Sequence, residues 1–178
     1  MSVAKSGRIV EVVPYDESWV AMYQDEAEVV HEALGEAVLD IHHIGSTAIP
    51  GMWAKPVIDM LVVVRDIGEV DARNSCMSAA GYEAKGEFGI KNRRFFTKGG
   101  DARSHHVHVF QKGSPEIGRH LNFRDFMIAH PERAARYAEL KRSLAAKFST
   151  DIDAYCDGKD SFIKAIDAEA SSWSEGKW

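Results

Sequence analysis

Apolar positions in the first part of the chain follow a helical spacing. Trp19, Met22, Tyr23, Ala27, Val30 and Leu34 recur every three to four residues, which predicts an amphipathic helix over 18–34 with Ser18 as its N-cap and Gly35 as its stop. Before it lies a short extended segment, 8–13, broken by Pro14-Tyr15-Asp16. The pattern then changes. Residues 38–44 read as a strand and 45–55 as a loop holding Pro50-Gly51. Residues 56–64 are almost uniformly apolar and branched, as a strand covered on both faces is. Asp66 caps a helix running to about 80, where Gly81 ends it. Two strands, 82–88 and 93–98, form a hairpin through 89–92. Gly99-Gly100-Asp101 turns the chain into a further strand, 105–110. The rest is helical. Ser114-Pro115-Glu116 supplies a cap, a proline at the first helical position and an early acid. That helix ends near His130-Pro131, a second runs from Pro131 to about 148, and a third from about 154 to about 172. The expectation is a single domain over 1–178, with an α/β core at about 8–112 and a helical tail at about 114–173.

The chain has 178 residues, 45% hydrophobic and 28% charged, enough to bury about 70% of the surface its unfolded form exposes without a disulfide or structural metal. A net charge of −5 argues against broad nucleic-acid binding, which needs a basic face to displace counterions. The apolar run 60–64 is far short of the roughly 20 residues that cross a bilayer, and 1–13 lacks the apolar stretch of a secretory signal. With Cys76 and Cys156 far apart and outside any CxxC pair, a cytoplasmic protein with reduced thiols and no membrane partner is expected.

The candidate chemistry centres on Asp59. Strand alternation places Ile58, Met60, Val62 and Val64 on one face and Val57, Asp59, Leu61 and Val63 on the other. A carboxylate in such a strand must be paired, hydrogen-bonded or metal-bound. Backbone N–H groups at the strand's solvent end are the plain structural alternative. Upstream, Gly45 and Ser46 follow a strand, and a small hydroxyl-bearing turn can approach a phosphate closely. Lys55 lies between this turn and the acid, within reach of a phosphate or of solvent. His106 and His108 share one strand face, and imidazoles two residues apart can hold one ion or meet one phosphate. Arg93 and Arg94 form a basic cluster, although neighbouring strand residues point oppositely and only one can face a given cleft. Glu87, Arg119, His120 and Arg124 are further candidates.

The run His43-Ile44-Gly45-Ser46-Thr47-Ala48-Ile49-Pro50-Gly51, continued by Ala54-Lys55-Pro56-Val57-Ile58-Asp59, closely resembles the GrpB family of the nucleotidyltransferase superfamily. Gly86-Glu87-Phe88-Gly89-Ile90, Arg93-Arg94-Phe95-Phe96, His106-Val107-His108-Val109-Phe110 and Arg119-His120-Leu121 resemble its middle and helical parts, and Tyr155, Lys159, Phe162 and Ile163 its end. The resemblance implies an α/β fold with a nucleotidyltransferase-like mixed sheet flanked by helices and a C-terminal helical segment. It also implies that Gly45 and Ser46 hold the phosphates of a nucleoside triphosphate or other small phosphorylated ligand. Lys55, with Arg93 or Arg94, would offset their charge, and Asp59 would be the first acid of a magnesium site. At the second-acid position stands Leu61, so another side chain substitutes or nucleotidyl transfer to a small acceptor is lost. A fold-retaining, non-catalytic ligand-binding module is one alternative. Another is a zinc or manganese site of Asp59, His106 and His108 with hydrolytic activity. Oligomerisation is left open.

Overall fold

The computed structural model describes residues 8–175. Residues 1–7, on which part of the leader reading rests, and 176–178 lie outside it. Helix α1 is Ser18–Leu34, strand β1 Val38–Ile44 and strand β2 Ile58–Val64. Two short helices follow, α2 Gly68–Asp71 and α3 Asn74–Ala79, then β3 Tyr82–Ala84, β4 Arg94–Lys98 and β5 His105–Gln111. The chain closes with α4 Pro115–Ala129, α5 Pro131–Lys147 and α6 Ile152–Glu175.

The five strands make one mixed sheet in the order β1-β2-β5-β4-β3. β2 and β5 run parallel, and the other neighbours are antiparallel. This is the expected mixed sheet flanked by helices. β2 and β5 lie inside it, which is why β2 is almost uniformly apolar. Their register sets Asp59 opposite His106 and Leu61 opposite His108, so the acid and both imidazoles share one face.

The other face is mostly apolar, with His43 and His105 at one end of it. Ile58, Met60, Val62, Val64, Val107 and Val109 pack there against Trp19, Val30 and Leu34 of α1 and Met77 of α3. On the Asp59 face, Ile44, Leu61 and Phe110 form a small cluster with Ile117 and Leu121 of α4. A third core joins the helices to the loop after β1, through Ile49, Met52, Phe126, Met127, Tyr137, Ile166 and Ala170. Gly158 sits where α6 meets α5, because a Cβ there would lie 2.5 Å from Leu144 Cδ2.

Several expectations change. Ser18 is the first helical residue and Glu17 the N-cap, without a side-chain cap bond; Asp16 Oδ1 accepts from Ser18 N at 2.8 Å. Met22 of the expected buried stripe is exposed. The extended segment 8–13 adds no strand to the sheet and meets the rest of the chain through the bridge between Val13 and Ala54. The helix expected to about 80 breaks at Arg73, which leaves helical geometry (φ −103°, ψ 5°) with its guanidinium against Gly35. The hairpin is shorter because Phe88 and Asn92 take positive φ and curl 85–93 around the Arg93 side chain. Among the described residues no helix is long and apolar enough to cross a membrane.

Candidate functional site

Asp59 is held from two sides. His106 Nδ1 lies 3.3 Å and His108 Nε2 3.1 Å from its Oδ1. Behind the imidazoles stand two arginines: Arg103 Nη1 is 3.3 Å from His106 Nε2, and Arg93 Nη1 is 3.2 Å from His108 Nδ1. A guanidinium only donates, so each histidine turns a lone pair to its arginine and must carry its proton on the nitrogen facing Asp59. Both rings are therefore neutral donors to one carboxylate oxygen. Burial alone would raise the Asp59 pKa, but the hydrogen bonds that His106 and His108 donate to it act the other way and hold the carboxyl well below the usual range. Burial likewise keeps His108 below its ordinary value, against the opposing pull of Asp59.

Gly45 makes the close approach to this carboxylate. Its backbone (φ 73°, ψ −170°) lies in a region essentially reserved for glycine, and a Cβ would come within 2.8 Å of Asp59 Oδ2. The bend carries the chain into a tight turn, Ser46–Ala48. Thr47 is tied to His43 Nε2 at 2.8 Å, and Ser46 is hydrogen-bonded to Tyr137.

Between this turn, β2 and the helical tail lies a cavity of about 200 Å³ lined by Ser46, Thr47, Lys55, Val57, Asp59, His106, Lys141, Tyr155 and Lys159. Lys141 is 2% exposed, and its Nζ is buried without a hydrogen-bond partner, as is the Tyr155 hydroxyl. The Lys141 ammonium lies 4.5 Å from the Tyr137 ring centre. Lys55 and Lys159 lie 5.3 and 4.9 Å from that of Tyr155. Burial, reinforced by Lys159 and Lys55, pushes Lys141 down to about 6. Burial and Lys159 together push Lys55 down to about 8. A larger groove of about 400 Å³, lined in part by Arg8, Glu11, Asp101 and Arg103, adjoins this cavity and shares Lys55 and Val57 with it.

The structure thus brings Ser46, Lys55, Asp59 and His106 to one cavity, with Gly45 and His108 directly behind. It does not bring the two arginines there. Arg93, 6% exposed, spends its guanidinium on Glu87 O (3.1 Å), Phe88 O (2.7 Å) and His108. Arg94 forks onto Asp71 at 2.8 and 3.2 Å. Glu87 accepts from Asn92 N, Arg119 pairs with Glu116 and Asp167, His120 Nδ1 bonds Glu116 O, and Arg124 donates to His43 O. These groups organise the fold.

A metal centre fits poorly. The lone pairs of His106 and His108 face arginines, and their N–H groups occupy Asp59 Oδ1, so the expected metal set is a hydrogen-bonded unit rather than an open set of ligands. Leu61 is fully buried between Ile44 and Phe110, so no second acid stands beside Asp59. Among the described residues no group of three His, Cys, Asp or Glu side chains is placed to hold a metal ion.

The family model described as GrpB protein matches residues 9–169. The chain belongs to the GrpB family. It is 47% identical over 170 residues to protein YqkA of Bacillus subtilis, covering 96% of this chain and 50% of the relative. It therefore spans about half the length of that relative. The glutamate-rich protein GrpB of Alkalihalophilus pseudofirmus is 33% identical over 162 residues, covering 88% of this chain and 93% of that protein. The crystal structure of the conserved protein GrpB from Enterococcus faecalis superposes with a TM-score of 0.88 at 42% identity, covering 92% of this chain and 99% of the other.

Three cavity residues of this GrpB chain, Lys141, Tyr155 and Lys159, are absent from the sequence-derived site. A signal for the first exists. On α5 the buried stripe runs through Ala134, Tyr137, Ala138 and Lys141, and a lysine on the apolar face of a helix needs a reason. Tyr155 and Lys159 follow the same logic one turn apart on α6.

Burial holds two histidines of this GrpB domain, His43 and His120, down at about 4. Unfolded, each would titrate near 6.5, so the unfolded chain takes up these protons first. Stability is expected to fall as pH drops from about 6.5 to about 4. The more deeply buried His120 contributes up to about 1.4 kcal/mol per pH unit, and the partly exposed His43 less. Urea midpoints at several pH values check this, and His120→Gln should flatten the slope.

Proposed function

We propose that the cavity binds the phosphate groups of a nucleoside triphosphate or another small phosphorylated ligand. One observation carries the reading: the buried Lys141 amine, without a hydrogen-bond partner and set with Lys55 and Lys159 across from the Ser46–Thr47 turn. An unpaired ammonium is expensive to bury, and phosphate oxygens would supply the acceptors that the protein does not. The kinship with nucleotidyltransferases implied by the sequence resemblance agrees with a phosphate ligand next to Gly45 and Ser46.

Whether the ligand is also turned over depends on Asp59, the single carboxylate of the cavity. The burial of Leu61 at the second-acid position favours the non-catalytic reading, in which the fold binds a nucleotide without transferring it. Calorimetric titration of native protein with ATP, GTP, CTP and UTP, and with adenosine as the phosphate-free control, tests the binding. The triphosphates should bind and adenosine should not. No binding by any phosphorylated compound would sink the proposal. Pyrophosphate assays with small hydroxyl acceptors should show no release above that of Asp59→Asn; a clear excess would restore the transferase reading.

A further inference from the structure

We infer that the cavity neutralises the polyphosphate chain of its ligand with its three lysines and without a divalent cation. This rests on the phosphate reading above and extends it to the source of the compensating charge. A site that uses a metal for this purpose anchors the ion on one or two carboxylates together with the phosphates themselves. Here cations outnumber acids. Lys55, Lys141 and Lys159 face the cavity against Asp59 alone, and one oxygen of Asp59 is already engaged by His106 and His108. The position beside it on the same face, Leu61, is closed by apolar packing.

The lysines come from three separate elements: the loop before β2, α5 and α6. Lys55 and Lys159 oppose the charging of Lys141, no carboxylate pairs with it, and its Nζ, set over the Tyr137 ring, has no hydrogen-bond partner. A dication entering the cavity would add to that repulsion. An anion with several phosphates would relieve it, offering acceptors to Lys141 Nζ and to the buried Tyr155 hydroxyl together. The cavity is thus complementary to the phosphate chain itself, with its negative charges unshielded by metal.

The experiment is calorimetric titration of the full chain with inorganic triphosphate and with ATP, in EDTA and in excess magnesium. In EDTA both should bind at least as tightly as in magnesium and weaken steeply as salt is added. Lys141→Met and Lys159→Ala should each cost tenfold or more in affinity, while circular dichroism shows both variants folded. Asp59→Asn should tighten binding severalfold in EDTA by removing a repelling charge, whereas a metal-holding Asp59 would make that variant lose binding. Binding that appears only with magnesium, or that Asp59→Asn abolishes, overturns the inference and leaves the phosphate reading standing. Absence of binding under both conditions removes the phosphate reading itself.

Discussion

Lys141→Met is expected to make the protein more stable and at the same time strip it of phosphate binding. The amine is buried, has no acceptor and is repelled by Lys55 and Lys159. A buried polar group without a partner costs about 1–3 kcal/mol, and methionine fills much of the same volume without that penalty. In a chain of this length about 1 kcal/mol moves Tm by roughly 2–4 °C, so thermal unfolding should shift upward by several degrees. The sign has a pH dependence. Folding lowers the Lys141 pKa to about 6, so the unfolded chain holds this proton more tightly. The destabilisation is therefore full below about pH 6 and fades as pH rises toward the ordinary lysine value of about 10.4. The advantage of Lys141→Met should shrink in the same way, and Tm measured at pH 6, 8 and 10 follows it. A variant that is less stable at neutral pH would mean that the amine has an intramolecular role after all.

Gly45→Ala is expected to damage both the fold and the cavity. The backbone at φ 73°, ψ −170° costs a residue with a side chain about 1–3 kcal/mol. The new methyl would also meet Asp59 Oδ2 at 2.8 Å and Asp59 Cβ at 3.2 Å. That carboxylate cannot swing aside freely, because two imidazoles grip its other oxygen. Gly51→Ala is the natural comparison: it too has positive φ, at 78°, but its Cβ would meet nothing within 4 Å. Urea unfolding should show the larger loss for Gly45→Ala, and the difference between the two measures the collision with Asp59. Triphosphate affinity should fall for Gly45→Ala and hold for Gly51→Ala.

Elements whose signal is local are readable from sequence. The stripe from Trp19 to Leu34 yields α1, Ser114 and Pro115 mark the start of α4, and the run ending at Val64 reads as a covered strand. Alternation even assigns Asp59 to the face opposite Ile58 and Met60. What escapes is decided by distant partners. The helix breaks at Arg73, whose guanidinium lies against Gly35, and the curl of 85–93 is held by the bonds Arg93 makes to Glu87 and Phe88. The same limit governs the site. Asp59 and Ser46 are close enough in sequence to be seen together, whereas Lys141 and Lys159 join them only once the helical tail folds back over the sheet. Arg93 and Arg94 show the converse. Their chemistry suits phosphate, but the curl before β4 turns Arg93 toward His108, and Arg94 at the start of β4 forks onto Asp71.

The cavity wall is drawn from two separately packed parts of the molecule: the turn, β2 and β5 on one side, α5 and α6 on the other. An anion seated there would act as a rivet, its oxygens pulling on lysines anchored in different hydrophobic clusters. Occupancy would then be felt well away from the ligand, as a stiffening of the seam along which the C-terminal helices rest on the strands.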